Sequence, residues 1–139
     1  MNFILRTSIL VGLAAMCCLA GCSRGGPETV PVYGTVNFIG RDVPKYCRLF
    51  FQPLQTEGIS RPSSATAEAD GSYEVKAFRR SAGLVPGTYR VQISYYNLKR
   101  GANPEVESNW VESVYDAGEL VVDAGSRGVE HNIEVPAES

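Results

Sequence analysis

Four thiols, one imidazole and fifteen carboxylates are the groups in this 139-residue chain able to act as nucleophile, acid, base or metal ligand. The imidazole is decisive, because hydrolytic triads and most zinc sites need histidine. His131 alternates in step with Ile133 and Val135, which predicts a sheet-edge residue making one hydrogen bond, not a general base. Cys47 falls inside the strand-like run Tyr46 to Gln52, whereas reactive thiols occupy electropositive, accessible positions. It is expected to be a small buried apolar residue, with an intermolecular disulfide as the alternative. Glu68 and Asp70 offer two acids where a calcium loop supplies several oxygens at alternate positions. Turn chemistry accounts for Asp70 instead. No glycine-rich phosphate cradle is present, and Arg79-Arg80 is expected to be a solvated pair. These residues predict no catalytic site, no metal and no cofactor. An enzyme working with Asp and Glu alone is a remote alternative, and it needs two carboxylates in one cleft.

The other three thiols cluster near the start of the chain. Arg6 supplies a weak positive region, Ile9 to Ala20 is apolar, and no charge falls between Arg6 and Arg24. That run falls short of the roughly 20 apolar residues that span about 30 Å of hydrocarbon. A secretory signal is therefore expected, with a retained membrane helix as the alternative. Leu19-Ala20-Gly21-Cys22 closes the run and resembles the lipobox of bacterial lipoproteins, where a peptidase cuts just before a cysteine already carrying lipid. Cys17 and Cys18 lack the preceding Leu-small-small pattern. The resemblance implies a signal peptide over 1–21, acylation of Cys22 and a lipid bilayer as partner. One acyl chain holds only marginally at about 0.8 kcal/mol per buried methylene, so stable anchoring takes the two or three chains of such lipoproteins. Ser23 in place of an aspartate implies sorting to the outer membrane rather than the inner.

Cleavage before Cys22 leaves 139 − 21 = 118 residues, enough for one domain. A chain of that size buries somewhat over ~60% of its unfolded surface and folds without metal or disulfide. Only Cys47 remains in it, so no internal disulfide is possible. Loss of Arg6 leaves 13 − 1 = 12 Lys+Arg against 15 Asp+Glu, a net charge of −3 spread along the chain. No basic stripe exists to follow a phosphate backbone, which excludes nucleic acid as an expected partner.

Residues 22–29 are Gly/Pro-rich and polar, a flexible tether ahead of a domain expected over 30–136. From Val30 the period is two: Val30, Val32, Gly34, Val36 and Phe38 share one face, and Gly40-Arg41-Asp42 turns the chain. Cys47, Leu49 and Phe51 share a face of the second run, and Ala65 to Glu68 is a third. Ala69-Asp70-Gly71-Ser72 is the strongest hairpin signal, followed by Tyr73, Val75 and Ala77 in alternation. Val85-Pro86-Gly87-Thr88 predicts a type II turn. Tyr89, Val91, Ile93 and Tyr95 then alternate with Arg90, Gln92 and Ser94 in the clearest strand. Residues 97–118 break the rhythm and are expected to hold a turn of helix or to pack their own aromatics. Glu119 to Val122 and Val129 to Val135 close the chain. About seven short strands predict an all-β fold, a single antiparallel sandwich or barrel.

Three segments resemble the carboxypeptidase regulatory-like domain family, whose fold is a transthyretin-like (prealbumin-like) β-sandwich. Val32-Tyr33-Gly34-Thr35-Val36 is similar to its V-x-G-x-V strand. Ala69 to Val75 is similar to its D/N-G-x-Y hairpin, and Val85 to Val91 to its P-G-x-Y-x-V segment. With a lipobox ahead, the arrangement resembles small lipoproteins of planctomycete-like bacteria. The resemblance implies an accessory or adhesive role and brings no catalytic residues. The expected function is thus a non-enzymatic, membrane-anchored envelope lipoprotein binding a protein or glycan partner through its loops. Trp110, Tyr115, Tyr95 and Tyr96 are the expected contacts, since aromatics dominate binding hot spots. A purely structural spacer of the envelope is the alternative.

Overall fold

The computed structural model describes residues 28–56, 60–76 and 83–137. The expected signal peptide, Cys22, most of the expected tether, Ala77 and Arg79-Arg80 lie outside them. The described residues form eight strands: β1 (Val32–Phe38), β2 (Arg48–Thr56), β3 (Ser63–Thr66), β4 (Ser72–Glu74), β5 (Gly87–Leu98), β6 (Trp110–Val122), β7 (Val129–Glu130) and β8 (Ile133–Val135). They make two four-stranded sheets. One has β1 between β4 on one side and β7 and β8 on the other; its companion runs β3-β2-β5-β6. The fold class is all-β.

Alternation decides where the core lies. Val30, Val32, Val36 and Phe38 of the first sheet meet Leu49, Phe51, Val91 and Ile93 of the second in one buried cluster. Each such side chain contributes about 1.5–3 kcal/mol on burial. Gly34 falls in the same series, and its missing side chain is needed. A Cβ there would sit 2.0 Å from the carbonyl oxygen of His131. Tyr73, the β4 partner of Gly34, crosses the gap and donates its hydroxyl to that same carbonyl at 2.5 Å. Burial pushes the Tyr73 hydroxyl well above the usual phenol range, so it stays protonated as a donor. Tyr89 closes the other sheet similarly, donating to the carbonyl of Val85 at 2.6 Å with Ser60 at 2.9 Å.

Several expectations are corrected. The sheets are not wholly antiparallel, because β7 and β8 pair with β1 in parallel. β6 returns antiparallel to β5 and ends beside Gly87. The turn after Val122 therefore delivers the chain at the start of β1, and it runs alongside in the same direction. The expected last strand is split at His131-Asn132, where the Asn132 side-chain oxygen accepts from the Thr35 amide (3.0 Å) and hydroxyl (3.1 Å). The Asp70-Gly71 turn exists, with Gly71 at φ 86°, but its flanks do not form a hairpin. β3 pairs with β2 and β4 with β1, so the turn carries the chain between sheets. Gly87 has φ 154°, far from the type II value, and a Cβ there would lie 2.2 Å from the Gln55 carbonyl oxygen. It is glycine because β2 passes close by.

Residues 97–118 hold a 3₁₀ turn, Glu107–Asn109, but from Trp110 onward the segment is β6, a strand of 13 residues that runs on to Val122. A bulge where Gln92 pairs with Asp116 and Arg90 with Glu119 inserts one residue. Gly118, at φ 82°, absorbs it.

Gly34→Ala is expected to lower stability by ~2–4 kcal/mol through the carbonyl clash. Tyr73→Phe should cost ~1–2 kcal/mol by leaving an acceptor unpaired. Urea midpoints of both variants check this; a wild-type midpoint for Gly34→Ala would refute the crossing.

Candidate functional site

β5 sorts its side chains between two environments. Tyr89, Val91, Ile93 and Tyr95 enter the core, leaving Arg90, Gln92, Ser94 and Tyr96 on the outer face of the second sheet. Register then lays out that face in rows. Phe50 is opposite Gln92, Arg48 opposite Ser94, Tyr96 opposite Glu112, and Leu98 opposite Trp110. From the Phe50 row to the Trp110 row is six residues of β5, about 20 Å at ~3.4 Å per residue.

These rows floor an open recess of about 670 Å³. Four aromatic residues line it, one from each of four places in the chain: Tyr46 before β2, Phe50 in β2, Tyr96 in β5 and Trp110 in β6. The Tyr46 and Tyr96 rings meet edge-on with centroids 6.1 Å apart. Tyr46 is 75% exposed and Phe50 41%. Tyr46 is also the one non-glycine residue with positive φ (56°) among the described residues. Such backbone strain in a bulky residue collects at binding and switch sites.

The wall is the chain between β5 and β6, which contributes Pro104, Glu105 and Glu107. It is tied to itself and to Trp110. Asn103 accepts from the Glu105 amide at 2.9 Å, Lys99 donates to the Ser108 carbonyl at 3.0 Å, and the Trp110 indole donates to the Pro104 carbonyl at 3.0 Å. Trp110 thus holds the wall while its ring carries a cation, with the Lys45 ammonium 5.8 Å from its centroid. On the floor, the buried Ser94 hydroxyl donates to Glu112.

Of the contacts expected from sequence, the structure brings Trp110 and Tyr96 together here. Tyr95 is turned away: it is 4% exposed and packs edge-on against Phe38 at 5.0 Å, so it offers no surface to a partner. Neighbours in a strand point to opposite faces, and the pair divides. Tyr115, opposite Ile93, packs against the core and stands outside the recess. Tyr46, Phe50, Arg48, Glu105, Glu107 and Glu112 were not foreseen. Parity within the second run, with Tyr46, Arg48 and Phe50 opposite Cys47, Leu49 and Phe51, was the signal that could have found half of them.

The recess does gather three carboxylates, the arrangement an Asp/Glu enzyme requires. All three are exposed residues. Elsewhere, Asp70 accepts from the Ser72 amide (2.9 Å) and hydroxyl (2.6 Å). Those bonds hold its carboxyl below the usual range and occupy it in the turn. His131 uses its backbone, accepting from Tyr73 and donating to the Tyr33 carbonyl at 2.8 Å. Its buried Nε2 has no hydrogen-bond partner among the described residues. Burial lowers its basicity, which keeps it neutral at neutral pH. Among the described residues no three His, Cys, Asp or Glu side chains are grouped to hold a metal ion. Comparison of the chain with protein-family models, with curated proteins and with solved structures finds no match in any of the three.

Cys47 is 1% exposed, and burial pushes its thiol up to about 11. The stabilisation from keeping it neutral is complete below the ordinary thiol value of 9.0 and is lost as pH rises through about 11. A polar thiol reagent at neutral pH is expected to label Cys47 only in denaturant. Rapid labelling of the folded protein would contradict its burial.

Proposed function

We propose that this chain is a lipid-anchored protein of the cell envelope whose β domain binds a glycan through the aromatic recess and leaves it chemically unchanged. The domain is read as a transthyretin-like sandwich of the carboxypeptidase regulatory-like kind, and Cys22 as the acylated residue. The outer membrane is the proposed address.

The observation that carries this reading is the position of the four rings relative to the start of the domain. Val30, next to the tether, bridges to Leu84 just ahead of β5. The recess uses β5 from the Gln92 row to Leu98, the half farther from that bridge, where Tyr95 meets the last residue of β1. Tether and recess therefore lie at opposite ends of strands about 20 Å long or more. Anchored at Cys22, the domain would hold the recess away from the bilayer. A spacer would have no use for exposed rings there, since contiguous exposed apolar surface marks interaction sites.

Glycan is favoured by the surface chemistry. Ring faces carry negative quadrupole charge and attract the slightly positive C–H faces of pyranoses. Carboxylates, Arg48, Thr66 and Ser94 interleave with them to meet hydroxyls. A floor of about 20 Å suits an oligomer better than a single sugar.

Trp110 is the sole tryptophan, so its fluorescence reports on the recess alone. Full-length protein in detergent is expected to shift that emission on titration with oligosaccharides chosen from a glycan array, without releasing shorter products. Tyr96→Ala should weaken binding about tenfold or more, read by calorimetry. Silence on the array, with capture of an envelope protein through the same residues, would replace the glycan by a protein partner. Intact mass and membrane fractionation beside Cys22→Ala test the anchor. A mature chain beginning at Cys22 with acyl mass, lost in the variant, is expected; an unlipidated product would remove it.

A further inference from the structure

We propose that the recess selects a cationic glycan, an oligomer of hexosamine with free amino groups, over neutral or acidic ones; this rests on the glycan reading above. Two independent features point to positive charge. The first is an unmatched acidic wall. Glu112 is engaged by Ser94, but Glu105 and Glu107 have no ion-pair or side-chain hydrogen-bond partner among the described residues. They line the recess with Tyr46, Tyr96 and Trp110, and the Lys45 ammonium over the Trp110 ring makes no ion pair with either among the described residues. A ligand bearing ammonium groups would provide it.

The second feature is the molecule's own lysine. Lys45 already lies over the Trp110 ring, the geometry by which an ammonium is drawn to the negative face of an indole. The ring takes a cation even where Lys45 could instead extend into water. An amino sugar offers both halves of what the recess presents, a C–H face for the rings and an ammonium for the wall. A neutral glycan would use the rings and offer hydroxyls to Glu105 and Glu107, but would leave their charge unmatched. An acidic glycan would meet them with like charge.

Arg48 is the opposing charge. It stands one row nearer Phe50, between Thr66 and Ser94 in register, away from the wall. Its fork suits hydroxyl or amide oxygens at that end. The recess therefore differs along its length, with Glu105, Glu107 and Lys45 beside Trp110 and Arg48 toward Phe50, which would also set the direction of a bound chain.

The test compares three tetramers on the full chain in detergent at mildly acidic pH: deacetylated glucosamine, N-acetylglucosamine and glucose. Calorimetry and Trp110 fluorescence give the affinities. The deacetylated tetramer is expected to bind about tenfold tighter than the other two. That preference should shrink toward unity in Glu105→Gln/Glu107→Gln and at high salt. Equal affinities for all three would overturn the selection and leave the stacking reading standing. No binding by any of them would overturn both. A tetralysine peptide binding as tightly as the deacetylated tetramer would show that charge alone is read, and would overturn the sugar.

Discussion

Two chains cannot pass as closely as β1 and the residues before β8 do unless one of them lacks a side chain. Gly34 meets that constraint, and the rest of the first sheet follows from it. With no Cβ at Gly34, the His131 carbonyl approaches β1, Asn132 turns its amide into the Thr35 amide and hydroxyl, and Tyr73 reaches over the gap to close the acceptor. One glycine thereby joins β4, β1 and the split last strand. The same crossing fixes the backbone of a histidine in core-facing parity. Its backbone is held on both sides, and its ring lies half-buried beside that seam.

The second sheet is organised by β5, which has a partner on each edge along most of its length. Its odd-numbered residues close the core, and Tyr89 anchors one end by returning to Val85. Its even-numbered residues set out the floor on which the recess is built. The aromatics there come from positions as far apart as Tyr46 and Trp110, brought into one row set by register alone. Besides its own internal bonds, the wall is tied to Trp110 by the indole hydrogen bond to Pro104. Trp110 is therefore both a surface and a strut, and its replacement would loosen Glu105 and Glu107 as well as remove a ring.

Much of the fold was legible because one face of each sheet is buried. Where burial is one-sided, alternation is strict, and β1, β2 and β5 could be traced residue by residue. β6 was hidden for a physical reason. Tyr115 and Ala117 pack inward, then the bulge at Gly118 shifts the phase so that Leu120 and Val122 do. A slip of one residue cancels a period of two. Acids along the exposed face and a short 3₁₀ turn ahead of it completed the disguise. Trp110 and Tyr96 could be singled out as aromatic residues near a long irregular segment, but nothing local distinguished Tyr96 from Tyr95 except parity.

Local chemistry was enough for the Asp70-Gly71 turn, the buried thiol and the all-β class, because each depends on neighbours in sequence. Sheet membership did not follow the same logic. Asp70-Gly71 makes its turn whichever sheet the flanking strands join, and a strand's partner is chosen by surfaces far away in the chain. Parallel placement of β7 and β8, the separation of Tyr95 from Tyr96, and the meeting of Tyr46, Phe50, Tyr96 and Trp110 were all decided at that level. Long-range register brings such residues together, and no spacing along the chain encodes it.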